Sequence, residues 1–318
     1  MSAVGDDNFM RYVYRGGVSE SIPREATHII VAEDVTIIHE RAFFRHPNIV
    51  EVICHDKVEK IGEEAFCECP SLRRVIMLGV KIIEDMAFFS CETLEDMECG
   101  KLEIIGRYAF GSCPSLRSVD LPSAKIIGDE AFGHCEALAY VKFGTMLERI
   151  DEKAFIRCYS LEQITIPLKN GIKSADDIFM ECENLQKVDL IEGAVLQETV
   201  GALQLDVWRN DINEEIDSIN RILPYAPAGG WVDFEGYDNG EKALTIRMWI
   251  RSVLQKIVHY KAEHGRILSE AATAIQQQYA LPHDILTNKI LPFLALPSHT
   301  FEGENKKKRK LGSQRKGS

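Results

Sequence analysis

Cysteine is the residue of this chain best placed to do chemistry: there are nine, and six of them keep step. Cys69, Cys91, Cys113, Cys135, Cys158 and Cys182 follow one another at intervals of 22, 22, 22, 23 and 24 residues. Thiolates ligate zinc, close disulfides and act as nucleophiles. A zinc site needs four ligands converging on one point. Thiols placed once per repeat instead spread along an axis, roughly 5 Å apart if strand spacing governs. Disulfides between neighbouring repeats meet the distance requirement, but a reducing compartment opposes them. The spacing therefore points to small buried thiols whose weak S–H groups donate to backbone carbonyls in a turn. Cys54 and Cys99 fall at a strand core position. Cys67 lies off the ladder; it reads as structural, with an exposed, reactive thiol as the alternative.

No other catalytic pattern is present. The chain contains no G-x-S-x-G, H-E-x-x-H or P-loop, and no G-x-G-x-x-G between a strand and a helix. His46 and His134 lie by the cysteine phase and read as structural. His259 and His264 are five apart on a predicted helix and do not share a face. The pairs Glu63-Glu64 and Asp176-Asp177 fall in a variable turn and read as solvated. The expectation is a non-catalytic chain with no cofactor and no metal site.

Charge bounds the partner. The 318 residues carry 37 basic and 49 acidic side chains, a net −12. Residues 306–318 hold seven of the basic ones and no acid, which leaves the other 305 residues at −19. An acidic body repels phosphate backbones, so a nucleic-acid surface on it is not expected. No run of 18 apolar residues predicts a membrane span, and the N-terminus has no apolar signal core. An intracellular protein, cytoplasmic or nuclear, is the reading. The cluster Lys306, Lys307, Lys308, Arg309 and Lys310 is the candidate import signal.

The cysteine rhythm belongs to a larger repeat. Ala-Phe recurs at Ala42-Phe43, Ala65-Phe66, Ala87-Phe88, Ala109-Phe110, Ala131-Phe132 and Ala154-Phe155, then degrades to Ile178-Phe179. Leucine or isoleucine follows at residues 49, 72, 94, 116, 138, 161 and 185, and a period-2 apolar pair ends each copy. The consensus is close to I-G-x-x-A-F-x-x-C-x-x-L-x-x-V-x-L. The last segment reads as a strand, with V and L inward. Gly62, Gly106 and Gly128 share one phase, read as a tight turn. A unit of this length cannot bury both faces, so copies must stack.

These positions resemble the BspA-like subclass of leucine-rich repeats over roughly residues 27–192. The resemblance implies an α/β fold, a right-handed leucine-rich repeat solenoid with a parallel sheet on its concave face. It also implies a protein-binding or adhesive role. Residues 1–26 read as an N-terminal cap segment, 27–192 as about seven repeats, 193–297 as a helical C-terminal region, and 298–318 as a disordered basic tail.

The outward strand positions are the candidate surface for a protein or peptide partner: Glu51 and Ile53, Arg74 and Ile76, Asp96 and Glu98, Ser118 and Asp120, Tyr140 and Lys142. Gln163, Thr165, Lys187 and Asp189 continue the same rows. Exposed Ile and Tyr beside Arg are what protein interfaces use. Beyond the repeats, Leu205, Trp208, Ile212, Ile216, Ile219 and Leu223 predict an amphipathic helix. A second helix is predicted over roughly 241–280, with Gly265 as a possible break, and the two are expected to form a hairpin. Residues 281–297 resemble the opening of an F-box, which offers a ubiquitin-ligase adaptor as the alternative function. A surface adhesin is the alternative implied by the repeat family. Oligomeric state is left open.

Overall fold

The computed structural model describes residues 9–18, 20–169, 171–191, 206–232, 236–238, 240–279 and 285. Leu205, residues 281–297 apart from Ile285, and residues 306–310 lie outside these. The chain divides into two units, Met1–Ile191 with Ile219–Met248, and Glu192–Ser218 with Trp249–Ser318.

The first unit is built from rungs. In chain order its strands are β1 (Arg11–Tyr14), β2 (His28–Val31), β3 (Ile37–Ile38), β4 (Glu51–Cys54), β5 (Lys60–Ile61), β6 (Arg74–Met77), β7 (Ile82–Ile83), β8 (Asp96–Glu98) and β9 (Ile104–Ile105). They continue with β10 (Ser118–Leu121), β11 (Ile126–Ile127), β12 (Tyr140–Phe143), β13 (Arg149–Ile150), β14 (Gln163–Ile166), β15 (Lys173–Ser174) and β16 (Lys187–Leu190). The two-residue strands β3, β5, β7, β9, β11, β13 and β15 form one seven-stranded sheet. The longer strands form two sheets, β1-β2-β4-β6-β8 and β10-β12-β14-β16. All of these pairings are parallel. From β2 onward the repeat spacing produces this register directly, because residues 22 to 24 apart stand side by side, as Val119 does with Val141, while β1 joins β2 across 17.

The core is an aromatic column. Phe43, Phe66, Phe88, Phe110, Phe132 and Phe155 stack at centroid distances of 4.7, 5.1, 5.0, 5.3 and 5.4 Å, with interplanar angles of 5° or less. Phe179 closes the column at 5.8 Å and 25°. At the other end Tyr14, from β1, packs on Phe43 at 5.0 Å. The inward strand residues Val52, Val75, Met97, Val119, Val141, Ile164 and Val188 are all buried.

The Ala-Phe pairs sit in turns with an unusual backbone. The residues two before and two after Phe66, Phe88, Phe110, Phe132 and Phe155 have positive φ although none is glycine; around Phe110 these are Tyr108 at 54° and Ser112 at 57°. Left-handed backbone disfavours most side chains, so stacking against the next rung must hold it. Phe66 N donates to Ala87 O at 2.7 Å and Phe110 N to Ala131 O at 2.8 Å. The phase-matched glycines have a different cause from the one their position suggested. None of the three has positive φ. A Cβ on Gly62 would lie 2.6 Å from Glu40 N, and one on Gly128 would lie 2.8 Å from the Gly106 carbonyl carbon. They are glycines because successive backbones approach too closely for a side chain.

Residues 219–248 complete this unit. Helix α1 (Asp206–Ile222) enters it at Ile219, and helix α2 (Lys242–Tyr279) leaves it after Met248; between them β17 (Gly230–Val232) and β18 (Gly236–Asp238) make an antiparallel hairpin. They saturate the last rung. Asn220 Oδ1 accepts from Val188 N at 2.9 Å. The buried Lys242 Nζ donates to Leu185 O at 2.6 Å and Leu223 O at 3.2 Å. Burial lowers the Lys242 pKa.

In the second unit, residues 206–218 and 249–279 lie side by side as the two arms of the expected hairpin. Trp208 stacks on Tyr260 at 5.2 Å. The Tyr260 hydroxyl donates to Asp211 at 2.9 Å, and Trp249 Nε1 donates to Glu215 O at 2.8 Å. Helix α2 runs unbroken through Gly265 for 38 residues, about 57 Å at 1.5 Å per residue. Along one face of it Ile246, Ile250, Val253 and Ile257 are buried, while Ile267, Ala271 and Ala274 further on are exposed.

Candidate functional site

The thiols have a structural explanation. Sγ of Cys69, Cys91, Cys113, Cys135, Cys158 and Cys182 donates to the carbonyl of Phe43, Phe66, Phe88, Phe110, Phe132 and Phe155, at 2.9 to 3.2 Å. Each therefore bonds the Phe of the preceding copy. In the first copy His46 takes the cysteine phase, and its Nε2 lies 2.9 Å from Pro23 O. Burial pushes the thiols of Cys54, Cys69 and Cys135 up to about 12, which withholds the nucleophilic thiolate. All nine cysteines are free. Among the described residues no group of three or more His, Cys, Asp or Glu is placed to hold a metal ion.

Cys67 follows the structural reading rather than its alternative, and Cys99 departs from expectation. Cys67 is buried, 4% exposed, and not a reactive surface thiol. Burial, followed by Glu68 and Glu64, raises it to about 11. Cys99 is only half-buried, because β8 ends at Glu98 and leaves it beyond the strand. Asp177, read as solvated, is buried, and its Oδ1 accepts from Lys153 N at 3.3 Å.

A second ladder went unread. Two residues past the cysteine phase, Ser71, Thr93, Ser115 and Asn184 donate to Pro47 O, Pro70 O, Glu92 O and Tyr159 O at 2.6 to 2.8 Å. The signal was the recurrent small polar residue in C-x-S, C-x-T and C-x-N. With so much of each rung committed to its neighbour, the outward strand positions are left to differ from copy to copy.

Those positions form two surfaces. Across β1 to β8 the register aligns Val13, Ile30, Ile53, Ile76 and Glu98 in one row and Arg11, His28, Glu51, Arg74 and Asp96 in the other. Val13 and Ile53 are exposed, and Ile30 and Ile76 half-buried. The aliphatic row is thus four strands long, twice the Ile53–Ile76 pair expected. Val13 and Ile30 were missed because no Ala-Phe copy precedes their strands, although the alternation in RYVY and HIIV carries the signal. Arg74 stands among three carboxylates, 3.6 Å from Glu51, 3.5 Å from Asp96 and in contact with Glu98. These neighbours, Glu98 first, raise its pKa.

Across β10 to β16 the rows are polar: Ser118, Tyr140, Gln163 and Lys187 beside Asp120, Lys142, Thr165 and Asp189. Ser118, Asp120, Tyr140, Lys142, Gln163 and Thr165 surround a hollow of about 270 Å³ floored by Val119 and Val141. Tyr140 is 50% exposed. Lys142 Nζ donates to Asp120 at 3.3 Å. The arrangement offers hydroxyl, amide, ammonium and carboxylate groups over a flat strand base, a set suited to hydrogen bonding a polypeptide. The ten predicted outward residues divide six to the first sheet and four to the second.

Comparison with known proteins agrees with the repeat. Residues 24–124 and 103–199 match the BspA-type leucine-rich repeat region in six copies. Among solved structures the chain is similar to a leucine-rich repeat protein of Bacteroides ovatus, with 23% identity over 54% of this chain and 47% of that one, at a TM-score of 0.44. It is also similar to a leucine-rich cell surface protein of Faecalibacterium prausnitzii, at 22% identity over 54% and 59%, TM-score 0.38. The leucine-rich repeat protein of T. pallidum is 24% identical over 64% and 92%, TM-score 0.46. The chain thus spans about half the length of the first of these proteins and under two thirds of the second. No curated protein matches it.

Proposed function

The chain belongs to the BspA-type leucine-rich repeat family, and from that premise we propose that it is a non-catalytic scaffold that binds an extended protein segment across the outward strand face. The observation that carries this reading is the contrast within each strand. From β2 to β14 the inward positions are apolar and buried, while outward positions differ from rung to rung and leave Ile53 exposed on one sheet and Tyr140 on the other. Exposed apolar and aromatic groups among satisfied polar ones are the makings of an interface core and rim. The hollow between Ser118 and Thr165 supports a polar contact on β10 to β14, and the exposed aliphatic row supports an apolar one on β1 to β6.

The test is co-purification followed by calorimetry with the recovered partner. Changing Ile76 and Tyr140 together to Ser leaves folding intact, because neither faces the core, and weakens binding by about 2 kcal/mol or more if they are anchors. Unchanged affinity moves the site off this face. Intracellular residence, with import through residues 306–310, belongs to the same proposal. A fluorescent fusion lacking those residues, still nuclear, would count against the import part alone.

A further inference from the structure

The longer strands do not form one sheet. No ladder joins β8 to β10, yet the short-strand sheet runs on past the same point, β9 pairing with β11. The repeat spacing does not change there either: Phe88, Phe110 and Phe132 are 22 residues apart and stay stacked within 4°. The break is therefore confined to the outward face, and a cause must be sought on that face.

Charge supplies one. Read rung by rung, one outward row runs Val13, Ile30, Ile53, Ile76, Glu98, Asp120, Lys142, Thr165, Asp189, and the other runs Arg11, His28, Glu51, Arg74, Asp96, Ser118, Tyr140, Gln163, Lys187. Glu98 and Asp120 are the one place in either row where like charges follow each other on successive rungs. Like charges directly opposite destabilise a strand pair. Each acid is also drawn away from the other. Glu98 pairs with Arg74 on the N-terminal side, and Asp120 with Lys142 on the C-terminal side. Between the strands themselves stands a weak contact, Cys99 Sγ to Asp120 O at 3.4 Å, while just outside them Ser115 donates to Glu92 O at 2.7 Å and Ser123 to Gly100 O at 2.9 Å.

We propose that Glu98 and Asp120 form a charge-gated seam: their repulsion, reinforced by counter-ions on opposite sides, holds the outward sheet parted and lets its two halves flex about the intact short-strand sheet. Neutralising either acid lets β8 and β10 pair. The seam lies between the aliphatic row and the polar hollow, so its state sets the spacing of the two surfaces. This inference stands on the sheet break and the charge order, and does not depend on where a partner binds.

Amide hydrogen exchange on the full chain at neutral pH tests it. In the unaltered protein, the amides that face the seam, those of Met97, Ser118 and Asp120, exchange faster than those of β12 and β14. Asp120→Asn and Glu98→Gln, both exposed and isosteric, each slow the seam amides by about fivefold and leave β12 and β14 unchanged. Salt at 1 M, where screening acts within about 3 Å, slows the seam in the unaltered protein and not in the variants. Two results would overturn the proposal: seam amides as protected in the unaltered chain as those of β12, or variants that exchange as fast as the parent.

Discussion

The rungs of the first unit and the paired helices of the second solve the same problem with different chemistry. In the rungs, one carbonyl, one thiol and one ring recur at fixed spacing, and each is satisfied by the neighbouring turn: the thiol donates to the carbonyl, and the ring stacks on the next ring. In the helices, residues 206–218 and 249–279 are joined by single, unrepeated contacts. Lys256 sits 3.0 Å from Asp211 and 3.1 Å from Glu215, each of these side chains between one fifth and two fifths exposed. The difference teaches where stability resides. Buried, repeated interactions cost several kcal/mol each when broken, whereas exposed ion pairs contribute about 1 kcal/mol or less.

Alkali should break the comparison most sharply. Burial raises the pKa of Cys54, Cys67, Cys69, Cys91, Cys99, Cys113, Cys135 and Cys158. The folded chain keeps protons that the unfolded chain releases above about pH 8.5. This stabilisation is complete below that value and is lost as pH rises toward the folded pKa, at about 1.4 kcal/mol per thiol per pH unit. Eight thiols together withdraw on the order of 11 kcal/mol one unit above the ordinary value, comparable to a typical domain's whole stability of roughly 5–15 kcal/mol. Lys242 and Lys261, lowered by burial, act in the opposite sense but are only two. Melting temperature should therefore collapse between pH 8.5 and 10, and a flat profile there would mean the thiols are not buried donors.

Removal of one ring ranks next. Phe110→Ala, in the middle of the column, should cost about 3–5 kcal/mol. Phe179→Ala, at the tilted end, should cost about half as much, because one neighbour is missing. Equal losses in denaturant titrations would show that stacking adds nothing beyond burial.

The helices should show the smallest effect. Lys256→Met should cost about 1 kcal/mol or less, and 1 M salt should erase the difference. Hydrogen bonds from Lys256 and Tyr260 lower the pKa of Asp211, and Ser252, with Lys256 after it, lowers that of Glu215. Their contribution is present above the ordinary carboxylate pKa and is lost as pH falls below about 4. Tryptophan fluorescence, through Trp208, should report acid loosening that Lys256→Met shares only weakly. A variant that titrates like the parent would remove Lys256 from the account.

How much of this was legible depended on repetition. Phe110, Cys113 and Val119 could be assigned to the core because seven copies vote on each position. Val13 and Ile30 were lost because their rungs lack the Ala-Phe signature, so nothing in the spacing placed them in the sheet. The glycines were read at the right phase for the wrong reason, since a sequence shows where a side chain is missing but not whether a turn or a neighbouring backbone excludes it. The break after Glu98 leaves the period untouched. Only the signs of Glu98 and Asp120, compared across one repeat, could have disclosed it. The outward residues were identifiable by phase, yet their division into an aliphatic row and a polar hollow depends on the two sheets being separate.

The thiol ladder also has a direction in time. Each cysteine donates backward, to a phenylalanine carbonyl 25 to 27 residues earlier in the chain. The phenylalanine amides point forward, to the carbonyl of an alanine, or of Ile178 for Phe155, not yet made. A polypeptide leaving the ribosome N-terminus first therefore presents every new cysteine with an acceptor that already exists. Growth can then proceed by docking one coil at a time, each meeting acceptors and amide donors already in place, and we expect the order of translation to be the order of assembly, which pulse proteolysis of chains stalled on the ribosome would check.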